Sequence, residues 1–344
     1  KGIVHSHGSG LAYALRAVDT YELDADDRLA NIAPLHFDQS TFELYAAPLA
    51  AAATIVVPDA VLRFPASLGT LVSEERATVW YSVPYAIAHL VRRGAPAEAD
   101  LSAIRWVLYG GESFPADDLR AAMERLPDAR FSNVYGPAEV NQCTFHHLDP
   151  AIDLDQPIPI GRPWEGIDVM LVDENGTPVE DGAVGHLLVS GDTMMDRYWK
   201  RPDLTDAAIE VRSGRRWYRT GDLAWRDRAG DLVFGGRLDH QVKVRGHRVE
   251  LEAVELAMVG RAGVEAGAVV VIDDQLAAIV SPPVDDDGER SLVDAMRRQL
   301  PPYAVPSRII GIDRMPRTGT GKVDRRAAAI AAGLDTRPGT RSRT

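Results

Sequence analysis

Three short apolar runs constrain this chain more than any other feature of it. Residues 52–57 (AATIVV), 78–83 (TVWYSV) and 105–109 (RWVLY) read as strands buried on both faces, because they show almost no alternation with polar residues. Helical patterns lie between and after them. Residues 115–126 (PADDLRAAMERL) open on a proline, carry two early aspartates and put Leu119, Met123 and Leu126 on one face, the pattern of an amphipathic helix. Strands alternating with helices up to about Val134 predict an α/β layer structure.

From Ile160 to Phe234 the texture changes to short strands and tight turns. Asn175-Gly176, between residues 169–172 (VMLV) and 187–189 (LLV), is its strongest hairpin signal, and this portion is expected to be β-rich and barrel-like. After Gly235-Gly236-Arg237 the sequence predicts a helix over 251–259, two strands joined at Asp273-Asp274, a helix over 289–300 stopped by Pro301-Pro302, and a strand over 308–312. That is a small α+β domain of roughly 90 residues. The expected division is a large unit over 1–238, a small mobile unit over 239–334, and a disordered tail over 335–344, which has no apolar residue but Pro338.

Composition narrows the function. The chain of 344 residues, 45% of them hydrophobic, can bury more than one core. Its 38 Lys+Arg against 50 Asp+Glu give a net charge of −12, which repels polyanions and argues against nucleic acid as a partner. A single cysteine, Cys143, excludes an internal disulfide and fits a reducing, cytoplasmic compartment. No apolar run approaches the roughly 20 residues that span a bilayer. The opening Lys1-Gly2-Ile3-Val4 lacks Met and reads as a turn entering a strand, so a preceding N-terminal portion is expected.

The common nucleotide signatures G-x-x-x-x-G-K-[ST] and G-x-G-x-x-G are absent. His5-Ser-His7 and His146-His147 lack the neighbouring ligands that a zinc site needs. More telling are four Gly-punctuated polar clusters: Asn133-Val-Tyr-Gly-Pro-Ala-Glu139, Tyr218-Arg-Thr-Gly-Asp-Leu223, the stretch from Gly236-Arg237 to Gly246, and Thr318-Gly-Thr-Gly-Lys-Val-Asp324. Each alone is ordinary turn chemistry. Together they supply an aromatic face, two carboxylates, several arginines and a lysine on a Gly loop, the groups that an adenine nucleotide with its Mg²⁺ requires.

With these clusters in order, and with Phe37-Asp-Gln-Ser40, residues 185–191 (GHLLVSG) and residues 300–306 (LPPYAVP), the chain resembles the adenylation domains of nonribosomal peptide synthetases, within the acyl-adenylate-forming enzymes. The resemblance runs from Lys1 to about Arg326. It implies ATP and Mg²⁺ as cofactors and a two-step reaction in natural-product, including antibiotic, biosynthesis: an amino acid is activated as aminoacyl-AMP, then passed to the phosphopantetheine thiol of a peptidyl carrier protein. Tyr135 and Phe234 would sandwich adenine, Asn133 would meet the base edge and Gly136 would lie against the nucleotide. Asp222 would hold the ribose hydroxyls, Arg237 the ribose or phosphate, and Glu139 the Mg²⁺. Lys322 would meet the charge developing between carboxylate and α-phosphate, and Asp239 would be the hinge of the small domain. Two positions depart from the family pattern: Ala138 stands where Thr is usual, and His186 where Glu is usual.

The resemblance also implies a substrate pocket lined by Asp38, Gln39, Phe42, Tyr81, Leu108, Gly110, Val134, Gln142 and Cys143, closed by Lys322. Asp38 would pair with the substrate ammonium, which a fatty or aryl acid lacks; a buried carboxylate without a partner is costly. With no other charge in the set apart from Lys322, a small neutral amino acid is expected, proline or a branched aliphatic residue first. An acyl- or aryl-CoA ligase and a degenerate adenylate-binding protein are the alternatives. No carrier domain follows Lys322, so a stand-alone enzyme is expected.

Overall fold

The computed structural model describes residues 1–35, 37–62, 64–93, 99–237, 241–244, 247–317 and 323–334. The chain divides into two compact units, Lys1–Leu238 and Asp239–Thr344. Lys322, Asp239 and the tail 335–344 lie outside the described residues.

A seven-stranded sheet forms the first layer of the larger unit. Its order is Ala53–Val56, Arg28–Asn31, Val79–Ser82, Trp106–Gly110, Arg130–Tyr135, Thr144–His147, Arg162–Pro163. The first five pair in parallel, and Thr144–His147 is antiparallel to both of its neighbours. The runs 78–83 and 105–109 are inner strands, whereas 52–57, read as buried on both faces, forms the edge strand Ala53–Val56 with Val56 76% exposed, because an edge strand has a neighbour on one side only. Residues of the inner strands alternate between two cores: Tyr81, Trp106, Leu108 and Val134 face one, while Trp80, Val107, Tyr109 and Phe131 face the other. Burial on both faces is what makes such strands continuously apolar. Helices Pro65–Glu74, Pro84–Arg93 and Ala116–Arg125 cover one face, and His7–Thr20 with the π-helix Phe42–Ala46 covers the other.

The β-rich portion contains a five-stranded antiparallel sheet, in which Ile209–Arg212, Arg215–Arg226, Gly185–Ser190 and Asp168–Val172 run in order and Leu232–Arg237 also pairs Arg215–Arg226. The chain makes a tight turn at Asn175-Gly176, as expected, with Gly176 at φ 83° and its N–H donating to the Asp173 carbonyl at 3.0 Å. Asp173 accepts from the Asn175 and Thr177 amides at 2.9 and 2.8 Å, and Asp173 N–H donates to the Thr177 carbonyl at 2.8 Å. Across this turn Val172 bridges Pro178 and Val179 N–H donates to the Leu171 carbonyl at 3.0 Å, and the longer strand Gly185–Ser190 then pairs with Asp168–Val172 from His186 opposite Val172.

In the smaller unit, strands Ala266–Ile272 and Gln275–Ser281 turn at Asp273-Asp274, both with positive φ (49° and 59°). Arg308–Gly311 adds in parallel. Alternate residues of this sheet enter two cores, completed by helices Leu251–Met258 and Asp286–Arg297 on one side and Arg325–Ala331 on the other. The helix predicted over 289–300 begins three residues earlier, because Asp285 caps it by accepting from Gly288 N–H at 2.8 Å.

Candidate active site

Two irregularities in the antiparallel sheet aim the polar groups. Gly221 and Gly236 have φ of 75° and 110°, values that L side chains rarely adopt. The pairing register slips beside each of them. Bulges of this kind turn side chains out of the regular alternation. As a result Asp222 pairs across from Arg237. The Arg237 guanidinium and the Tyr135 hydroxyl both donate to the Asp222 carboxylate, which is 3% exposed. Its own N–H donates to Thr220 Oγ1 at 3.0 Å, and Arg237 also reaches the Thr220 carbonyl at 3.3 Å. Burial, and then the Asp222 charge, hold the Tyr135 phenol protonated well above its ordinary range. The Tyr135 and Phe234 rings lie 6.5 Å apart at 42°.

The turn after Tyr135 folds back on itself, with Cys143 N–H donating to the Tyr135 carbonyl at 2.9 Å. A Cβ on Gly136 would sit 1.6 Å from the Asn141 carbonyl oxygen, so the turn itself already demands glycine there. The fold buries Glu139 at 1% exposure, its Oε1 accepting from the Tyr198 hydroxyl at 2.6 Å. A single buried carboxylate is compatible with Mg²⁺, which is usually held by one or two carboxylates plus phosphates. Among the described residues no group of three His, Cys, Asp or Glu could cage a metal. His146 instead faces Asp231 at 3.2 Å, and His5 donates to the Ala138 carbonyl at 2.8 Å. The Asn133 amide, expected at a base edge, donates to the Pro159 carbonyl at 2.8 Å.

The expected pocket residues are brought together. Asp38 and Gln39 lie on the short 3-10 helix Asp38–Ser40, and the π-helix starts two residues later. The wider π turn buries the consecutive Phe42 and Glu43. Phe42 meets Tyr81 edge-on at 5.4 Å. Tyr81 pairs with Leu108 across the sheet, and Gly110 with Val134. A Cβ at Gly110 would lie 2.4 Å from the Val134 carbonyl oxygen. Burial, then the Asp38 charge, raise the Tyr81 phenol, which bonds Gln39. Cys143 is fully buried and its thiol is pushed up by desolvation, so it is inert packing rather than a nucleophile.

Three residues here were not singled out from the sequence: Tyr198 on Glu139, Tyr21 on Gln142 (2.6 Å), and Glu43, whose carboxyl is pushed up to about 8 by burial. Only the Glu in Phe37-Asp-Gln-Ser-Thr-Phe-Glu43 carries a signal, as an acidic residue between two apolar ones.

The sequence pattern of the family described as "AMP-binding enzyme" matches residues 1–199, and that of the "AMP-binding enzyme C-terminal domain" matches residues 253–322. This chain belongs to the AMP-binding enzymes. It is 36% identical over 342 residues to an L-proline--[L-prolyl-carrier protein] ligase of Streptomyces coelicolor, covering 96% of this chain and 64% of that relative. A second ligase of the same description, from Pseudomonas fluorescens, is 32% identical, with 96% and 65% covered. The chain thus spans just under two thirds of these relatives. Among solved structures it resembles the adenylation domain AlmE of Vibrio cholerae in complex with glycyl-adenosine-5′-phosphate (TM-score 0.82, 26% identity, 95% of this chain and 64% of that one). It also resembles the amide bond synthetase McbA of Marinactinospora thermotolerans (TM-score 0.84, 28% identity, 95% and 65%). These AMP-binding enzymes share the α/β N-terminal domain and small C-terminal domain expected from the sequence. No helix among the described residues is long and apolar enough to cross a membrane.

Proposed function

We propose that this AMP-binding enzyme is an amino-acid-activating ligase. It would join a small neutral amino acid to AMP with release of pyrophosphate, then pass the aminoacyl group to the phosphopantetheine thiol of a carrier protein. The observation that carries the amino-acid reading is the place of the Asp38 carboxylate, on the short helix that leads into the turn carrying Phe42, which meets Tyr81 edge-on at 5.4 Å. A carboxylate beside apolar side chains can pair with the ammonium group of an amino acid, which a plain carboxylic acid does not offer. Proline leads the candidates, supported by the two relatives named as prolyl-carrier ligases.

In this reading the paired Tyr135, Asp222 and Arg237 form a receptor for adenosine. Asp222 accepts the ribose hydroxyls as they displace its present donors, and Tyr135 and Phe234 hold the base by stacking. Glu139 would hold Mg²⁺, which, when bound, neutralises phosphate charge. Tyr198 fixes the Glu139 carboxylate by its hydrogen bond. Lys322 enters on its sequence motif, as the cation that meets the charge developing when the carboxylate attacks the α-phosphate. Asp239 enters likewise, as the hinge between the half-reactions.

The test is ATP–pyrophosphate exchange by the intact protein with a panel of neutral amino acids and with cyclopentanecarboxylate, the proline analogue without its amine. Exchange with proline or a neighbouring neutral amino acid, and none with the analogue, is expected. Exchange with the analogue alone would replace this reading by that of an acyl ligase.

A further inference from the structure

Gln142 is 3% exposed, and its two amide atoms are treated unequally. Nε2 donates to the Tyr21 hydroxyl at 2.6 Å, whereas Oε1 is buried with no hydrogen-bond partner among the described residues. A buried acceptor left alone is costly. Such an atom in a native site calls for an explanation.

The side chain behind it is closely packed. Tyr21 is fully buried, its ring edge-on to Phe42 at 5.8 Å and to Trp106 at 5.5 Å. Its carbonyl accepts from Trp106 Nε1 at 2.9 Å and from Arg105 at 3.2 Å. With Nε2 engaged by this fixed hydroxyl, Oε1 is the amide atom left to accept a hydrogen bond.

We propose that Tyr21, which lies outside the expected pocket lining, is a positioning residue that fixes the Gln142 amide with its carbonyl oxygen toward the bound amino acid, so that the pocket prefers a neutral substrate bearing a hydrogen-bond donor on its side chain. This rests on the amino-acid-activating reading. Among the small neutral amino acids of that reading, it favours those with a hydroxyl or similar donor, such as a hydroxylated proline or threonine, over their counterparts without one.

The experiment compares isosteric pairs, L-threonine with L-valine and 4-hydroxy-L-proline with L-proline, in ATP–pyrophosphate exchange by the intact protein. In the wild type, kcat/KM for the donor-bearing member of one pair is expected to exceed that of its partner by roughly ten-fold or more. Tyr21→Phe keeps the ring but frees the amide to turn, and the ratio should fall several-fold through KM for the donor-bearing substrate. Gln142→Leu removes the acceptor and should abolish the preference, which keeps the test open should Tyr21→Phe not fold. A wild type indifferent within both pairs would overturn the proposal, as would a preference that survives both substitutions. Absence of exchange with every amino acid would overturn the activating reading itself, and this proposal with it.

Discussion

Replacing Glu43 by glutamine tests whether the turn carrying Asp38 and Phe42 is built around a neutral carboxyl. Glu43 is 1% exposed. Its side-chain contact is Asn31 Nδ2 at 3.4 Å, and its backbone carbonyl accepts from Thr54 at 2.9 Å. Burial pushes its carboxyl from 4.5 up to about 8. Below pH 4.5 the group is protonated in both the folded and the unfolded chain and contributes nothing to pH dependence. As pH rises from there, the unfolded chain releases the proton and the folded chain keeps it, so stability falls until the pH passes about 8. At about 1.4 kcal/mol for each pH unit, the loss between pH 5 and pH 8 has an upper limit of about 4 kcal/mol.

Glu43→Gln is neutral at every pH and removes this slope. Its extra buried N–H₂ imposes a separate, pH-independent cost of roughly 1–3 kcal/mol. The variant is therefore expected to be the less stable protein at pH 5, and to gain about 2–4 kcal/mol on the wild type by pH 8. Urea titrations followed by tryptophan fluorescence measure this, because all six tryptophans lie in the unit Lys1–Leu238. If the two proteins keep a constant difference from pH 5 to pH 8, Glu43 is not a buried neutral acid and the account of this turn is wrong.

Three further outcomes are expected. Asp38→Ala removes the partner of a desolvated ammonium, at a cost of about 3–5 kcal/mol; kcat/KM should collapse for the native amino acid and change far less for its deamino analogue, and equal losses for both would mean that Asp38 only shapes its turn. Glu255→Ala breaks the two-pronged pair with Arg325 (both contacts 2.6 Å) and the bond from Val269 N–H; chemical denaturation of the unit Asp239–Thr344 should show a loss of about 3 kcal/mol, and a change below 1 kcal/mol would class the pair as a surface contact. Lys322→Ala should slow adenylate formation by roughly 10² or more with ATP affinity little changed, as read from single-turnover rates; near-normal formation would take Lys322 out of the chemistry.

The inner strands of the parallel sheet were legible because burial on both faces leaves an unbroken apolar signature, as in residues 105–109. The turn at Asp273-Asp274 was legible because Asp tolerates positive φ. The π-helix at Phe42–Ala46 was not, since no local residue preference marks the change from the α repeat; it follows from packing Phe42 and Glu43 together. The bulges at Gly221 and Gly236 were visible only as Thr-Gly-Asp and Gly-Gly-Arg. That they turn Asp222 and Arg237 onto one another depends on the register of two strands. Tyr21 was invisible as a site residue because its role comes from Gln142, 121 positions away in the chain.

The most direct test of amino-acid activation follows an oxygen atom. L-Proline, or the neutral amino acid most active in exchange, is labelled with ¹⁸O in its carboxylate and incubated with the intact protein, ATP, Mg²⁺ and hydroxylamine as acceptor; the products are read by mass spectrometry. If the carboxylate attacks the α-phosphate, its oxygen bridges carbon and phosphorus and leaves with AMP when the acceptor takes the acyl group. AMP carrying one ¹⁸O and unlabelled pyrophosphate is the predicted result. Label in orthophosphate with formation of ADP, or unlabelled AMP, would contradict it.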